Sequence, residues 1–133
     1  ETFAISLALC LNLLSKQPHV DRATWHRLAE GTAPLLSSLP VRQLTLTMNA
    51  FSRTAVVHSG WVQEAALALH QAEAGAMSAQ DVALALGALA RVMHRDEGLL
   101  LQMVRGHAER MLDDFAPQGL VSIAHAVARL RES

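Results

Sequence analysis

Residues 77–92 read M-S-A-Q-D-V-A-L-A-L-G-A-L-A-R-V. Ser78 followed three residues later by Asp81 is a capping pattern that opens a helix. Val82, Ala85, Leu86, Leu89, Ala90 and Met93 then recur at the spacings of one helical stripe, so they form a core face. Thirty-eight residues earlier stands L-P-V-R-Q-L-T-L-T-M-N-A-F-S-R-T, at 39–54, and 38 later F-A-P-Q-G-L-V-S-I-A-H-A-V-A-R-L, at 115–130. The segment L-A-L-C-L-N-L-L-S-K at 7–16 aligns with them, Asn12 falling 37 before Asn49 and Lys16 falling 37 before Arg53. Four copies of one helix at a fixed interval make the chain a repeat array, and that period decides the fold.

Second helices are expected between the copies, starting near Asp21, His58 and Asp96. Each unit is then a helix, a turn and a helix: residues 1–38, 39–76 and 77–114, with a half unit at 115–133. Gly31 and Pro34 fall inside the second helix of the first unit and should kink or end it. Units of this kind cannot bury their apolar faces alone and must stack. The expected fold is all-α, an α-solenoid of stacked helical hairpins with a 37–38 residue repeat, forming a single array. A first residue other than Met and an incomplete last unit suggest a piece of a longer chain.

Composition agrees with helices. The 133 residues are 51% hydrophobic, with three Phe, two Trp and no Tyr, which favours small aliphatic helix packing over an aromatic-rich sheet. A formal charge of −1 withholds the strong positive bias of a free-standing nucleic-acid binder, so any such binding must come from local patches. The apolar run at 3–14 is too short for a membrane span and is interrupted by Ser6 and Asn12; it reads as a core helix, with the single Cys10 as a buried apolar residue.

A second line runs along each first helix: Gln80, Leu84, Gly87, Arg91; Arg42, Leu46, Asn49, Arg53; Gln118, Ser122, His125, Arg129; and Ile5, Leu9, Asn12, Lys16. It ends in a cation in all four copies, while its third position changes. Stacking would set Lys16, Arg53, Arg91 and Arg129 in a row able to meet successive phosphates of one strand. Asn12, Asn49, Gly87 and His125 would then face the bases: Asn and His offer donors and acceptors, and Gly leaves room. The competing reading is structural, since a cation at a helix end interacts favourably with the dipole and the last carbonyls. A third reading makes the same groove a protein-protein scaffold for a partner's peptide or helix.

Enzymatic chemistry is not indicated. The seven His show no i, i+4 pair and no company of Cys, so neither a metal nor another cofactor is expected. No nucleophile elbow and no Gly-rich phosphate loop is present. The acidic pairs Asp96-Glu97 and Asp113-Asp114 sit at turns, where capping explains them. Trp25 and Trp61, near the starts of second helices, are expected to pack between units, a platform for stacked bases being the alternative.

The first helices at 77–92 and 115–130 resemble those of the octotricopeptide and heptatricopeptide repeats, related to the repeats of FAST-kinase-like proteins that carry a RAP domain. The shared pattern is a hydrophobic residue, a small residue or Pro, Gln, and an Ala-rich helix ending in Ala-Arg/Lys-Leu. The resemblance extends over nearly the whole chain and is closest at 77–130. It implies an RNA-binding protein of mitochondria or of plastids, acting in a mitochondrial ribosome or in an RNA-processing or translation ribonucleoprotein. Single-stranded or ribosomal RNA and neighbouring proteins would be its partners, without membrane insertion or a small-molecule substrate. Nothing resembles a RAP domain itself, so no nuclease chemistry is carried over.

Overall fold

A computed structural model describes residues 2–17, 20–54, 58–72, 76–92, 98–99, 102–103, 105 and 117–132. The regular structure among them is helical, without strands: α1 (Thr2–Ser15), α2 (Arg22–Thr32), a 3-10 helix (Ala33–Ser38), α3 (Val41–Ser52), α4 (Ser59–His70), α5 (Ala79–Arg91) and α6 (Pro117–Glu132). Helices α3, α5 and α6 begin 38 residues apart, at Val41, Ala79 and Pro117. Of the second helix expected from Asp96, Gly98, Leu99, Gln102, Met103 and Arg105 are described and helical, with Leu99 and Met103 buried, while Met93, Asp96, Glu97 and the Asp113-Asp114 pair lie outside the described residues.

The helix starts follow from local chemistry. Ser78 Oγ accepts the Asp81 N–H at 3.1 Å while the Asp81 carboxylate accepts the Ser78 N–H at 3.0 Å, closing the capping box that opens α5. Asp21 caps α2 by accepting the Thr24 N–H at 2.8 Å, and hydrogen bonding from Thr24 holds its carboxyl below the usual range. His58 caps α4, its Nδ1 accepting from the Trp61 N–H at 3.1 Å. Helix α2 ends at Thr32, and Pro34 stands at the start of the 3-10 helix that continues the chain. A proline there lacks only an N–H that a helix start leaves unbonded.

Two series of helices result. In the first, α1 packs on α3, α3 on α5 and α5 on α6; in the second, α2 and α4 both pack on the 3-10 helix. The stripe read from α5 is core, with Val82, Ala85, Leu86, Leu89 and Ala90 all buried. Between the series sits an aromatic cluster: Phe51 lies 5.3 Å from Trp25, edge to face, and 4.5 Å from Trp61 by ring centroids. Trp61 Nε1 also donates to Thr32 Oγ1 at 3.0 Å. Both indoles are 4% exposed, so they are packing residues and offer no open face to a base.

Helix α1 departs from the expected core helix. Ala4, Ala8 and Leu11 are buried, but Phe3, Ile5, Leu9 and Leu13 are exposed, and so is Cys10. Apolar residues surround α1 on all sides, while among the described residues the helix that packs closely on it is α3. Hydrophobicity alone therefore misplaced Cys10.

One polar atom in the core lacks a partner among the described residues: Thr47 Oγ1, on a fully buried side chain. A buried hydroxyl without a hydrogen bond costs about 1–3 kcal/mol. Thr47→Val, which keeps the shape and removes the hydroxyl, is expected to raise unfolding free energy by about 1 kcal/mol in a urea titration.

Candidate functional site

The period in the sequence sets α3 and α5 side by side in the first series, and two groups of polar contacts join them. Between α3 and α5, Arg42 Nη1 approaches the Asp81 carboxylate at 3.2 Å, and Thr45 Oγ1 donates to the same oxygen at 3.2 Å. Asp81 is 3% exposed, so its two carboxylate oxygens serve at once as helix cap and inter-helix pin. Nearer the helix ends, Arg91 Nη1 donates to Asn49 Oδ1 at 2.9 Å and to Ser52 Oγ at 3.0 Å. The Ser52 hydroxyl donates in turn to the Asn49 carbonyl at 2.8 Å. One unit thus anchors the arginine of the next.

Two of the other expected cations, Arg53 and Arg129, are close enough for Arg91 to feel their charge. The Arg91 guanidinium is held below its usual range, first by burial and then by the charges of Arg53 and Arg129. An arginine keeps its charge regardless, so three guanidinium groups gather positive potential along the ends of α3, α5 and α6. Arg53, Arg91 and Arg129 are all exposed. Lys16 is also exposed, in the turn after α1, but does not figure among the charges acting on Arg91.

The variable positions fare differently. Asn49 is 6% exposed and its amide oxygen is occupied by Arg91, so it serves Arg91 and does not face a ligand. Asn12 is half-buried. Gly87 and His125 line a cleft of about 610 Å³ between α5 and α6, with Ala90, Arg91, Ser122 and Arg129 among the other walls. A Cβ on Gly87 would meet nothing within 4 Å, so packing does not require the glycine. A glycine in mid-helix is nevertheless about 1 kcal/mol less favourable than alanine.

Ser52 is the site residue that reading the line missed. The signal lay three residues beyond the variable position, as Asn12 with Ser15 and Asn49 with Ser52 in the first two copies, against Gly87 with Ala90 and His125 with Ala128 in the last two. The aligned anchors of Arg129 are therefore Gly87 and Ala90, which have no polar side-chain atom. The Arg42–Asp81 pin is missing there as well, since its aligned positions are Gln80 and Gly119. With neither bridge available, the α5–α6 gap stays open.

The chain is thus an all-helical protein that gathers arginines beside an open cleft, a local excess of positive charge. The family described as the RNA-editing substrate-binding complex 6 protein matches residues 23–132, most of the chain, and the protein belongs to that family. No curated protein and no solved structure matches it. The RNA association implied by the repeat resemblance agrees with this membership, which does not extend to the octotricopeptide, heptatricopeptide or RAP attribution. Among the described residues no helix is long and apolar enough to cross a membrane.

Proposed function

We propose that the protein is a non-catalytic, RNA-binding helical-repeat component of a mitochondrial RNA-editing ribonucleoprotein. The single observation that carries this reading is the shared positive field of Arg53, Arg91 and Arg129 along one series of helices, with Arg91 held in place by Asn49 and Ser52. Family membership supplies the context of an RNA-editing substrate-binding complex, with RNA and protein partners, and favours it over a ribosomal one. The serial packing of α1, α3, α5 and α6, with α2, the 3-10 helix and α4 beside them, supports the reading of stacked hairpins as an α-solenoid and of the chain as one array.

On this reading the strand lies across the ends of the first-series helices, its phosphates on the arginines. A guanidinium presents several donors in a plane and pairs with phosphate oxygens two at a time, which a scattered surface lysine does not. Anchoring Arg91 before the RNA arrives lowers the ordering cost of contact. The scaffold alternative, a protein segment in the same place, has no observation of comparable weight.

Photo-crosslinking checks the assignment. A short RNA carrying 4-thiouridine should form adducts on peptides from α5 and α6, Ala79–Arg91 and Pro117–Glu132. Adducts confined to α2 and α4 would overturn it.

A further inference from the structure

We propose that the cleft between α5 and α6 is a nucleotide site, which takes one unit of a single RNA strand with its phosphate on Arg129 and its base over Gly87 and Ala90. The inference rests on the RNA-binding reading and adds that the row of units is not uniform: the strand is read at this gap, while the gap before it is closed.

The difference between the two gaps carries the argument. Between α3 and α5, the arginine of the later helix folds onto Asn49 and Ser52 of the earlier one and bridges the two helices. Between α5 and α6, the aligned arginine is Arg129 and its aligned anchors are Gly87 and Ala90. Arg129 is exposed, makes no side-chain hydrogen bond among the described residues, and stands on the wall of the cleft. Its donors are free for an outside acceptor. The charges that meet there are Arg91 and Arg129, and that excess positive charge selects an anion.

The cleft is also the right kind of space. Its 610 Å³ falls within the range of ligand clefts, roughly 300–1,000 Å³. Gly87 and Ala90 line it without a side chain larger than a methyl, which leaves room for a planar base. Across from it, His125 is exposed and offers a ring to stack on or a nitrogen to hydrogen-bond, and Ser122 offers a hydroxyl. A phosphate with an attached base uses all of these groups. Inorganic phosphate would use only the arginines.

The test rebuilds the closed gap where the open one is. The double replacement Gly87→Asn with Ala90→Ser restores the aligned anchors, and the space around Gly87 admits the new side chain. Affinity for a single-stranded RNA oligomer, read by fluorescence anisotropy, should fall about tenfold, the loss of one charge-assisted contact. The thermal midpoint should stay close to that of the unaltered protein, because asparagine is a better helix former than glycine while serine is a poorer one than alanine by a similar amount. Arg129→Ala should lower affinity by a similar factor, and adding it to the double variant should cost little more, since both remove the same contact. Inorganic phosphate should compete poorly with the oligomer in the unaltered protein.

If the double variant and Arg129→Ala both bind RNA like the unaltered protein while Arg53→Ala with Arg91→Ala abolishes binding, the cleft proposal falls and the RNA reading stands. A partner protein in the cleft would give that same unchanged RNA affinity and counts equally against the proposal. If no arginine replacement matters, both fall.

Discussion

Replacing Arg53, Arg91 and Arg129 together by Ala is expected to lower the affinity for single-stranded RNA by about 10²–10³-fold at low salt, while the helical fold is retained. A hydrogen bond to a charged group contributes about 1.5–3 kcal/mol net, and exposed contacts fall at or below the lower end of that range. With about 1.4 kcal/mol per factor of ten, three such contacts give the stated loss. The effect on stability separates this account from the structural one. Cations at helix ends contribute about 0.3–1 kcal/mol each through the dipole. Here the mutual repulsion that Arg91 feels from Arg53 and Arg129 offsets part of that gain. Unfolding free energy should therefore move by no more than about 1–2 kcal/mol. A triple variant that unfolds and yet, at low temperature, binds RNA normally would make the arginines stability devices.

The second large effect concerns the aromatic cluster. Trp61→Ala should lower unfolding free energy by about 3–5 kcal/mol, the usual loss for truncating a buried aromatic side chain. Trp61 is 4% exposed, packs on Phe51 and donates its indole N–H to Thr32, so the cavity and the lost hydrogen bond fall at the junction of α2, α3 and α4. A domain typically has about 5–15 kcal/mol in all, so much of the protein would be unfolded at elevated temperature. Chemical denaturation followed by circular dichroism reads this directly. A stable Trp61→Ala variant with weakened RNA binding would restore the stacking-platform role that burial removes.

The parts of the fold legible in sequence are those set by local chemistry and period. Ser78 and Asp81 announce the start of α5 because the capping box is a contact within four residues. Asp21 and His58 stand where the repeat places the starts of second helices, and each caps its helix. The stripe of Val82, Leu86 and Leu89 is visible because a helix repeats its faces at a known spacing. What stayed hidden depends on which neighbour a side chain meets. Asn49 lies on the line expected to face a ligand, and only the approach of α5 turns its amide oxygen toward Arg91. Cys10 sits among apolar residues in sequence, yet α1 packs closely on α3 and leaves that side exposed. The distinction between a closed α3–α5 gap and an open α5–α6 gap was written in Asn49 and Ser52 against Gly87 and Ala90. It acquires meaning only when the residue facing them is known to be an arginine.

The account makes one unit's side chains the mount for the next unit's charge. Ser52 and Asn49 fix Arg91, and Asp81 fixes the spacing of α3 and α5 through Arg42 and Thr45. A protein of net charge −1 can in this way present a local field of the opposite sign.

The most direct measurement is the salt dependence of single-stranded RNA affinity in the unaltered protein beside the triple arginine variant. Each phosphate neutralised on a single strand contributes about −0.7 to the slope of log affinity against log salt, so three contacts give a slope of about −2. The account predicts that slope for the unaltered protein and one near zero for the variant. A slope near zero in the unaltered protein, or the same steep slope in both, would contradict it.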